Sequence, residues 1–397
     1  IYVDTVIRKC HSQRPNMITS VTVAEKGDVL VCANGGGRDM RFHAVWLRDN
    51  APDAGTRSPQ NGQRLISITD IPDDLAIRSA KLADGKVLVR FSDRDQNIAF
   101  EPSWLVAHSY DALPATDSFR LAPDVEAWDR RLGNAMPSAD FGALHDDLAA
   151  LLNWLQGLNR YGVAKVTGGP VESGALLDVA SLFGYVRETN YGKWFEVRTE
   201  VNPVNLAYTG LGLQAHTDNP YRDPVPTMQI LYCLENSAEG GDSIVVDGYA
   251  CARRLHEENP EDFELLSQYC ATFSYEGSKG VALHSRRPML ECTPDGELTG
   301  VRFNNRSAST FTDIPFDKMN AYYQAYRRLS KLVDNPQMQV AFKLEPGESF
   351  IVDNTRVLHA RRGYSGDGTR WLQGCYPDKD GLKSKLASML SEQRASP

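Results

Sequence analysis

A histidine and an aspartate two positions apart, His216 and Asp218, are the residues whose types and spacing first indicate metal chemistry. Side chains two positions apart on a strand project from the same face, so an extended segment aims this imidazole and this carboxylate at one point. A third ligand from His359 completes a set of two histidines and one carboxylate, which leaves open positions on a non-haem Fe(II). An H-x-D pair is common by chance and is weak evidence when it stands alone.

Arg370 and Ser243 are candidates for binding an anion beside such a metal. Arg370 follows His359 by eleven positions and lies between two strand-like runs, so adjacent antiparallel strands can bring its guanidinium near the metal. A guanidinium is a planar fork that binds a carboxylate through two hydrogen bonds. The alternatives are a surface position for Arg370 and a simple turn role for Ser243, which stands in G-G-D-S.

The pattern of apolar residues divides the chain into a small β-rich N-terminal domain, residues 1–115, and a larger domain, residues 138–397. In the smaller domain, alternating runs flank Gly27 and the pair Asp84-Gly85, and an Asp-Gly pair predicts a type I′ hairpin. A segment rich in proline and alanine, from Asp111 through Pro137, predicts a linker between the two domains.

The larger domain combines helical and strand-like patterns. Leucines from Leu144 to Leu155 recur at helical spacing, and short apolar or alternating runs between residues 191 and 246 predict antiparallel strands. Strands that are interrupted by helices and then resume are typical of a double-stranded β-helix, or jelly roll, whose mouth brings distant residues together. We therefore expect a mainly β fold with flanking helices. Further helices are predicted at 176–183, 252–269 and 317–333 and from residue 382.

The composition and charge of the chain restrict the classes of partner that it can bind. A net charge of -8 with scattered lysines and arginines argues against a nucleic-acid partner and favours a small molecule. No run of roughly 18 apolar residues is available to cross a bilayer, so no membrane partner is expected. Seven cysteines without C-x-x-C spacing fit a reducing compartment, and the first residues lack a signal-peptide pattern, so we expect a cytoplasmic protein.

Several motifs together resemble those of a known family. H-T-D at His216, G-G-D-S at Ser243, D-N-T-R-V-L-H-A-R around His359, and Arg370 resemble the Fe(II)/2-oxoglutarate dioxygenases of the taurine dioxygenase superfamily. W-L-R-D-N, N-L-A-Y-T, V-D-G-Y, F-N-N and G-C-Y are similar to γ-butyrobetaine and trimethyllysine dioxygenases over nearly the whole chain. The resemblance implies a jelly-roll catalytic domain, Fe(II) on His216, Asp218 and His359, and 2-oxoglutarate held by Arg370 and Ser243. It also implies consumption of O₂, hydroxylation of an unactivated C–H bond and a homodimer.

The same resemblance implies an aromatic cage for a trimethylammonium group, which cannot donate a hydrogen bond and is attracted by ring faces. The matching positions are Tyr191, Phe195, Tyr208 and Tyr376. At Phe195 the tryptophan of the family is replaced, so this wall of the cage is weaker or Trp194 contributes instead. The alternative is that these are ordinary aromatic residues of a β core.

The anion end of the substrate site differs from the family pattern. Asn205 and Asn305 match asparagines that bind the butyrobetaine carboxylate, but Arg306 stands where the family has a small neutral residue. Because arginine suits phosphate-like groups, we expect 2-(trimethylammonio)ethylphosphonate as substrate, hydroxylated next to phosphorus, with γ-butyrobetaine as the alternative. The contrary interpretation is that Arg306 points outward or pairs with Asp313.

The N-terminal domain lacks the cysteines that form a structural zinc site in the family, because A-P-D-A-G-T follows W-L-R-D-N. Zinc is therefore not expected, and His43 and His108 are interpreted as packing or surface residues. Two other functions are weighed: a non-catalytic betaine-binding module, against which the intact ligand set argues, and an iron halogenase, which needs the position of Asp218 vacated for halide.

Overall fold

A computed structural model describes residues 18–35, 39–110, 119–198, 212–365 and 368–395, without the side chains of 277, 278, 364, 365, 394 and 395. The chain divides into two compact units, Ile1–Ala115 and Thr116–Pro397. In the part of the chain that the structure describes, no helix is both long and apolar enough to cross a membrane. Asn205 and Tyr208, two of the predicted substrate residues, lie outside the described residues.

The first unit contains two three-stranded antiparallel sheets that share one apolar core. Asp84 and Gly85 have φ angles of 51° and 73°, so both central residues of the turn are left-handed, as a type I′ turn requires. The predicted hairpin is confirmed. The elements of this unit are β1 (Ile18–Val23), β2 (Val29–Asn34), β3 (Met40–His43), α1 (Ala44–Asp49), β4 (Ile77–Ala83), β5 (Lys86–Phe91), β6 (Asn97–Phe100) and α2 (Pro102–Ala107).

The two histidines of this unit lie in a cluster of aromatic side chains. Nδ1 of His43 is 2.9 Å from the hydroxyl of Tyr110, and the two rings stack. His108 stacks on Trp104, with 4.4 Å between ring centroids, and its Nδ1 is 2.7 Å from the carbonyl oxygen of that residue. Both histidines therefore contribute to local packing at the surface.

Residues 119–137 belong to the second unit, so the prediction of a linker through Pro137 is wrong for this part of the segment. Trp128 is buried, and its backbone N–H donates to Asp247. A 3₁₀ helix follows at Arg130–Asn134, and Leu132 in it is buried in the core between the sheets. Proline and alanine content indicated a linker, but the apolar residues among them are enough to anchor the segment.

Two antiparallel layers of strands form the second unit, with orders β7-β8-β19-β11-β22-β9 and β10-β20-β13-β18, and only the β7–β8 pairing is parallel. This arrangement is the predicted jelly roll. The strands of the two sheets are β7 (Ser138–Asp140), β8 (Val163–Thr167), β9 (Phe195–Val197), β10 (Leu213–His216), β11 (Met228–Asn236), β13 (Ser243–Asp247), β18 (Gln339–Phe342), β19 (Ser349–Asp353), β20 (Val357–Arg361) and β22 (Arg370–Cys375). Shorter pairs are β12 (Glu239–Gly240) with β21 (Tyr364–Ser365), β14 (Cys270–Ser278) with β15 (Val281–Pro288), and β16 (Leu290–Cys292) with β17 (Leu298–Val301).

Alternation along each strand decides which side chains face the interior between the sheets. In β20, Val357 lies in the core between the sheets, whereas Leu358 and Ala360 pack against the helices outside the smaller sheet. His359 shares the inward face with Val357. The same alternation in β11 sends Ile230 toward the outer helices and Leu231 inward. The interior is therefore apolar at one end and carries the site residues at the other.

Helices cover the outer faces of both sheets. The predicted helix from Leu144 is interrupted, because Asp147 caps the second helix by accepting a hydrogen bond from the N–H of Ala149. The predicted helix 252–269 is likewise two helices, since Pro260 begins a new one. The helices are α3 (Phe141–Asp146), α4 (Leu148–Tyr161), α5 (Leu176–Ser181), α6 (Gly248–Glu258), α7 (Pro260–Gln268), α8 (Met319–Val333) and α9 (Lys379–Ala395).

A buried ion pair fixes the start of β20, the strand that carries His359. Arg356 is 1% exposed and Asp247 is fully buried, and Nε and Nη2 of the arginine donate to the two carboxylate oxygens at 3.0 and 2.9 Å. Nη1 also donates to the carbonyl oxygen of Arg160 at 2.8 Å, and Nη2 also donates to that of Glu126 at 2.6 Å. Several hydrogen bonds of this kind are what a buried charge pair requires, and they tie the start of β20 to the N-terminus of α6.

Candidate active site

His216, Asp218 and His359 come together at the mouth of the jelly roll. His216 ends β10, and it is the register partner of His359 in the neighbouring strand β20. Nε2 of His216 lies 3.3 Å, and Nε2 of His359 lies 3.8 Å, from Oδ1 of Asp218. One ligand atom from each residue lies within 4.8 Å of the others, which is a spacing that one metal ion can bridge. The three residues are the predicted triad.

Hydrogen bonds outside the triad orient two of its ligands. Nδ1 of His216 donates to the carbonyl oxygen of Gln214 at 2.7 Å, which leaves the lone pair on Nε2. Oδ2 of Asp218 accepts from Nε2 of Gln229 at 2.8 Å and from the hydroxyl of Tyr376 at 2.9 Å. The other carboxylate oxygen, Oδ1, is therefore turned toward the imidazoles, as outer hydrogen bonds do in metal sites.

The side chain of Asn354 fixes the backbone at Asp218 by hydrogen bonds. Its side-chain oxygen accepts from the N–H of Asp218 at 2.7 Å, and its side-chain nitrogen donates to the carbonyl oxygens of Asp218 and Pro226. The asparagine belongs to the D-N-T-R motif before His359, so one short motif supplies one ligand and fixes another. The sequence contained this residue in a recognised motif, but only the structure gives its contacts.

The triad fits a divalent cation such as Fe(II). Burial together with nearby His216 lowers the pKa of His359 to about 3. Burial alone raises the pKa of Asp218, but the neighbouring imidazoles of His216 and His359 and the Tyr376 hydroxyl hold it well below its usual range. These two ligands are therefore deprotonated at neutral pH, as metal binding requires. Nη2 of Arg306 lies 2.8 Å from Nε2 of His216, so the free lone pair already attracts a cationic group.

A cavity of about 390 Å³ opens above the triad. It brings together nine of the residues that the sequence predicted for the site. They are His216, Asp218, His359, Ser243, Arg370, Tyr191, Phe195, Arg306 and Tyr376.

Ser243 and Arg370 contribute buried polar groups to the interior end of this cavity. Ser243 begins β13 and is 3% exposed, and Arg370 begins β22 and is 7% exposed. Nε of Arg370 donates to the carbonyl oxygen of Gly241 at 3.3 Å. The alternative interpretations, a surface arginine and an ordinary exposed turn, do not fit this burial. Their roles in holding 2-oxoglutarate stay a prediction.

A cluster of aromatic rings forms another wall. Phe195 lies 5.1 Å from Tyr376 and 6.2 Å from Tyr191, measured between ring centroids. Tyr221 and Tyr275 complete the cluster and stack on each other at 5.0 Å. Sequence reasoning missed both of these tyrosines. Tyr221 stands three positions after Asp218, which could have drawn attention to it, whereas Tyr275 belongs to the inserted strand β14 and carries no motif signal.

Trp194 does not contribute to this cluster, so the proposed substitute for the missing tryptophan is wrong. It packs against the core under the helices and is not among the described residues that line the cavity. The reason is the period of an extended chain, which turns Trp194 away from the face of its neighbour Phe195.

Asn305 also lies outside the cavity, which corrects its predicted place at the anion end. It is exposed, donates to Gln214 and accepts from the hydroxyl of Tyr326. Its neighbour Asn304 is buried and lines the cavity instead. A turn at these residues decides which of two adjacent asparagines faces inward, and a motif cannot show that.

Arg306 points into the cavity. The residue as a whole is exposed to solvent, but its guanidinium reaches His216 and lines the cavity. Asp313, its proposed surface partner, forms an ion pair with Arg286 at 2.6 Å. The interpretation that Arg306 points outward or pairs with Asp313 is therefore wrong.

Known proteins are similar to this chain over most of its length. The family model described as taurine catabolism dioxygenase TauD, TfdA family, matches residues 118–376. γ-Butyrobetaine dioxygenase of Pseudomonas sp. strain AK-1 is 34% identical over 88% of this chain and 91% of its own. Human γ-butyrobetaine dioxygenase is 28% identical over 87% of this chain and 90% of its own. Mitochondrial trimethyllysine dioxygenase of Mus musculus is 30% identical over 87% of this chain and 82% of its own. A solved structure of asparagine oxygenase aligns with a TM-score of 0.48 and 21% identity over 59% of this chain and 80% of its own.

The matched range contains all three ligands of the triad and both Ser243 and Arg370. A family match over more than half of the chain and a relative at 34% identity agree with the geometry of the metal site. The chain therefore belongs to the TauD/TfdA family and is an Fe(II)/2-oxoglutarate-dependent dioxygenase.

Proposed function

We propose that this dioxygenase hydroxylates a small zwitterion that carries a trimethylammonium group at one end and an anionic group at the other. The observation that carries the proposal is the lining of a single cavity, which has a cluster of aromatic rings on one wall, a guanidinium on another, and the metal triad beside both. A substrate that spans these walls presents an aliphatic carbon to the metal.

The aromatic cluster suits the cationic end. A quaternary ammonium has no N–H to donate, so attraction by ring faces is the interaction available to it. Tyr191, Phe195, Tyr221, Tyr275 and Tyr376 all line the cavity. The relatives reported above, named for γ-butyrobetaine and trimethyllysine, support a trimethylammonium substrate.

The residues of the triad would hold Fe(II), and the metal, when bound, would supply the chemistry of O₂ activation coupled to oxidative decarboxylation of 2-oxoglutarate to succinate and CO₂. Ser243 and Arg370, which line the cavity from two facing strands, would bind the cosubstrate carboxylate by a hydroxyl and a guanidinium. Gln229 and Tyr376 keep Asp218 oriented while substrate binds beside it. The apolar residues Leu231, Phe350 and Leu372 exclude water from the inner end of the cavity.

Two anionic groups are candidates for the other end of the substrate. The sequence relatives favour the carboxylate of γ-butyrobetaine, and they give no support to the phosphonate expected from the sequence. One observation favours the phosphonate as a second candidate, namely that the guanidinium of Arg306 reaches into the cavity. A guanidinium binds either anion, but a phosphonate offers it more charge and a third oxygen.

Turnover of both compounds tests the proposal. The enzyme is loaded with Fe(II) and 2-oxoglutarate, and succinate and hydroxylated product are quantified with γ-butyrobetaine and with 2-(trimethylammonio)ethylphosphonate. We expect equal amounts of succinate and hydroxylated product, with the larger kcat/KM for γ-butyrobetaine. A larger kcat/KM for the phosphonate reverses the choice of anion. Failure of every trimethylammonium compound to stimulate succinate release refutes the proposal and favours a non-catalytic binding module.

Arg306→Ala and Arg306→Lys test whether this guanidinium binds the anionic group of the substrate. Loss of a charged hydrogen bond costs about 1.5–3 kcal/mol, so Arg306→Ala should raise the KM of the true substrate by roughly ten-fold or more. Lysine keeps the charge but not the planar fork and should recover part of the loss. Because Arg306 contacts His216, metal affinity is measured in both variants, so that a change in iron binding is not mistaken for a change in substrate binding.

A further inference from the structure

Asn219 carries a buried hydrogen-bond donor that the site described so far does not use. The residue follows the metal ligand Asp218, is 5% exposed and lines the cavity. Its side-chain nitrogen, Nδ2, has no hydrogen-bond partner among the described residues. Buried polar groups are nearly always paired, so a donor in this position indicates that a ligand provides the acceptor.

A chain of hydroxyl groups sets the orientation of this amide. The hydroxyl of Tyr221 donates to Oδ1 of Asn219 at 2.5 Å, and it lies 3.1 Å from the hydroxyl of Tyr191. With its oxygen held by Tyr221, the amide of Asn219 turns its two N–H groups the other way. The donor is therefore directed by neighbours that already belong to the aromatic wall.

The backbone holds the side chain in place as well. Asn219 has a φ angle of 52°, in the left-handed region that asparagine tolerates better than most residues. Its carbonyl oxygen accepts from the N–H of Arg222, and the preceding residue is anchored by Asn354. Residues kept in such conformations by their surroundings are frequent at functional sites.

Among the groups of substrate and cosubstrate, an oxygen atom is the one that can accept this hydrogen bond. Neither a trimethylammonium group nor an aliphatic carbon accepts a hydrogen bond, so the anionic oxygens of substrate and cosubstrate are the candidates. The cosubstrate residues Ser243 and Arg370 lie on β13 and β22, whereas Asn219 lies just beyond the end of β10. Asn219 lies beside Tyr221, which belongs to the aromatic cluster that is proposed to bind the substrate.

The segment that carries Arg306 is hydrogen bonded to the segment that carries Asn219. The N–H of Thr217 donates to the carbonyl oxygen of Phe303 at 2.8 Å, and the side-chain nitrogen of Asn304 donates to the carbonyl oxygen of Thr217 at 3.1 Å. We infer that Asn219 is a substrate-binding residue, whose Nδ2 donates to an anionic oxygen of the zwitterion that Arg306 also binds. The inference rests on the proposed function and names a second contact for the same anion.

Two substitutions of Asn219 test this role. Asn219→Gly keeps the left-handed backbone and removes the donor, and Asn219→Asp keeps an acceptor for Tyr221 while replacing the donor by an anionic oxygen. We expect the KM for substrate to rise by roughly ten-fold in the glycine variant and by more in the aspartate variant. The KM for 2-oxoglutarate should stay within roughly two-fold of the wild-type value, because the contact is to substrate.

Tyr221→Phe is the matched positioning variant. It keeps the ring and the Asn219 donor but removes the hydroxyl that orients the amide, so a smaller rise in the KM for substrate is expected. Melting temperature and affinity for Mn(II) are measured for all three variants, because a fold or metal defect would raise every KM together.

The outcomes separate this inference from the proposed function. Absence of turnover in the wild type with every trimethylammonium compound overturns both. Wild-type turnover with an unchanged substrate KM in folded Asn219→Gly and Asn219→Asp overturns the inference alone. An equal rise in the KM values of substrate and 2-oxoglutarate also overturns it, because the contact would then not be specific to the substrate.

Discussion

Tyr376 has two separable roles, and the substitution Tyr376→Phe isolates one of them. Its ring packs 5.1 Å from Phe195 in the aromatic wall, while its hydroxyl donates to Oδ2 of Asp218 at 2.9 Å. Phenylalanine keeps the ring and deletes the hydroxyl. We therefore expect weaker metal binding with little change in the KM for a trimethylammonium substrate.

The size of the effect follows from the contacts of Asp218. Hydrogen bonds to charged groups contribute about 1.5–3 kcal/mol, and loss of an outer partner of a metal ligand typically costs roughly 10- to 100-fold in metal affinity. Gln229 still donates to Oδ2, so the lower half of this range is expected. The Tyr376 hydroxyl also holds the pKa of Asp218 down, so its loss raises that pKa. Because His216 and His359 still hold that pKa well below its usual range, Asp218 stays ionised in both proteins, and the deficit in affinity should change little with pH near neutrality.

Calorimetric titration with Mn(II), repeated at several pH values, measures the affinity, and steady-state kinetics at saturating iron measure the KM values. Tyr191→Phe is the matched control, because its hydroxyl contacts Tyr221 and not the triad. An affinity of Tyr376→Phe within two-fold of wild type would refute the reasoning. Equal losses in the two variants would also contradict it, since a general disturbance of the aromatic wall would then be the cause.

Three further results are expected. Gly374→Ala places a Cβ 2.5 Å from Cε2 of Phe195, so the ring must shift, and the KM for substrate should rise while that for 2-oxoglutarate is unchanged; equal changes would contradict this. Arg356→Met leaves Asp247 as an uncompensated buried charge and should lower the free energy of unfolding in urea by about 3–5 kcal/mol; an unchanged midpoint would show that the pair is not needed. Treatment of the native protein with iodoacetamide at pH 8 should leave three buried thiols unmodified until the protein is unfolded, because burial raises the pKa of each thiol to about 12. Mass spectrometry measures the modification, and rapid labelling of these thiols in the native protein would contradict the expectation. The three thiols are those of Cys32, Cys233 and Cys375.

The metal site was predictable from the sequence because its parts obey simple rules. His216 and Asp218 stand two apart at the end of a strand, and the register of β10 with β20 supplies His359. Ser243 and Arg370 each begin a strand, and the alternation of side chains along a strand turns both toward the interior. Their roles toward 2-oxoglutarate are still predictions, since the structure gives only their place in the cavity.

The residues that line the cavity around the substrate were harder to predict, because tertiary structure decides which side chains reach it. Tyr275 reaches the cavity from an inserted hairpin, and no local pattern specifies where that hairpin lies. Asn305 and Asn304 differ by one position, and the turn between β17 and α8 sends the buried one inward. Motif matching assigns residues to positions, but it does not determine the direction of a side chain in a turn.

The helices were predicted in the right places, but two runs that were predicted as single helices are each divided into two. Asp147 and Pro260 each begin a new helix inside a run that looks continuous by apolar spacing. Capping by an aspartate and the missing N–H of proline are local effects, and they override a periodic pattern of leucines.

The pairing of His216 with His359 also affects the stability of the folded catalytic unit. The two ligands are roughly 140 residues apart in sequence, so folding must close a long loop to bring them together, at a cost in conformational entropy. Helices α6, α7 and α8 all lie within that loop. A metal that binds both histidines of the folded site would join the two ends of about half of the catalytic unit and stabilise the folded state by mass action, so iron availability should regulate the amount of folded enzyme as well as its activity.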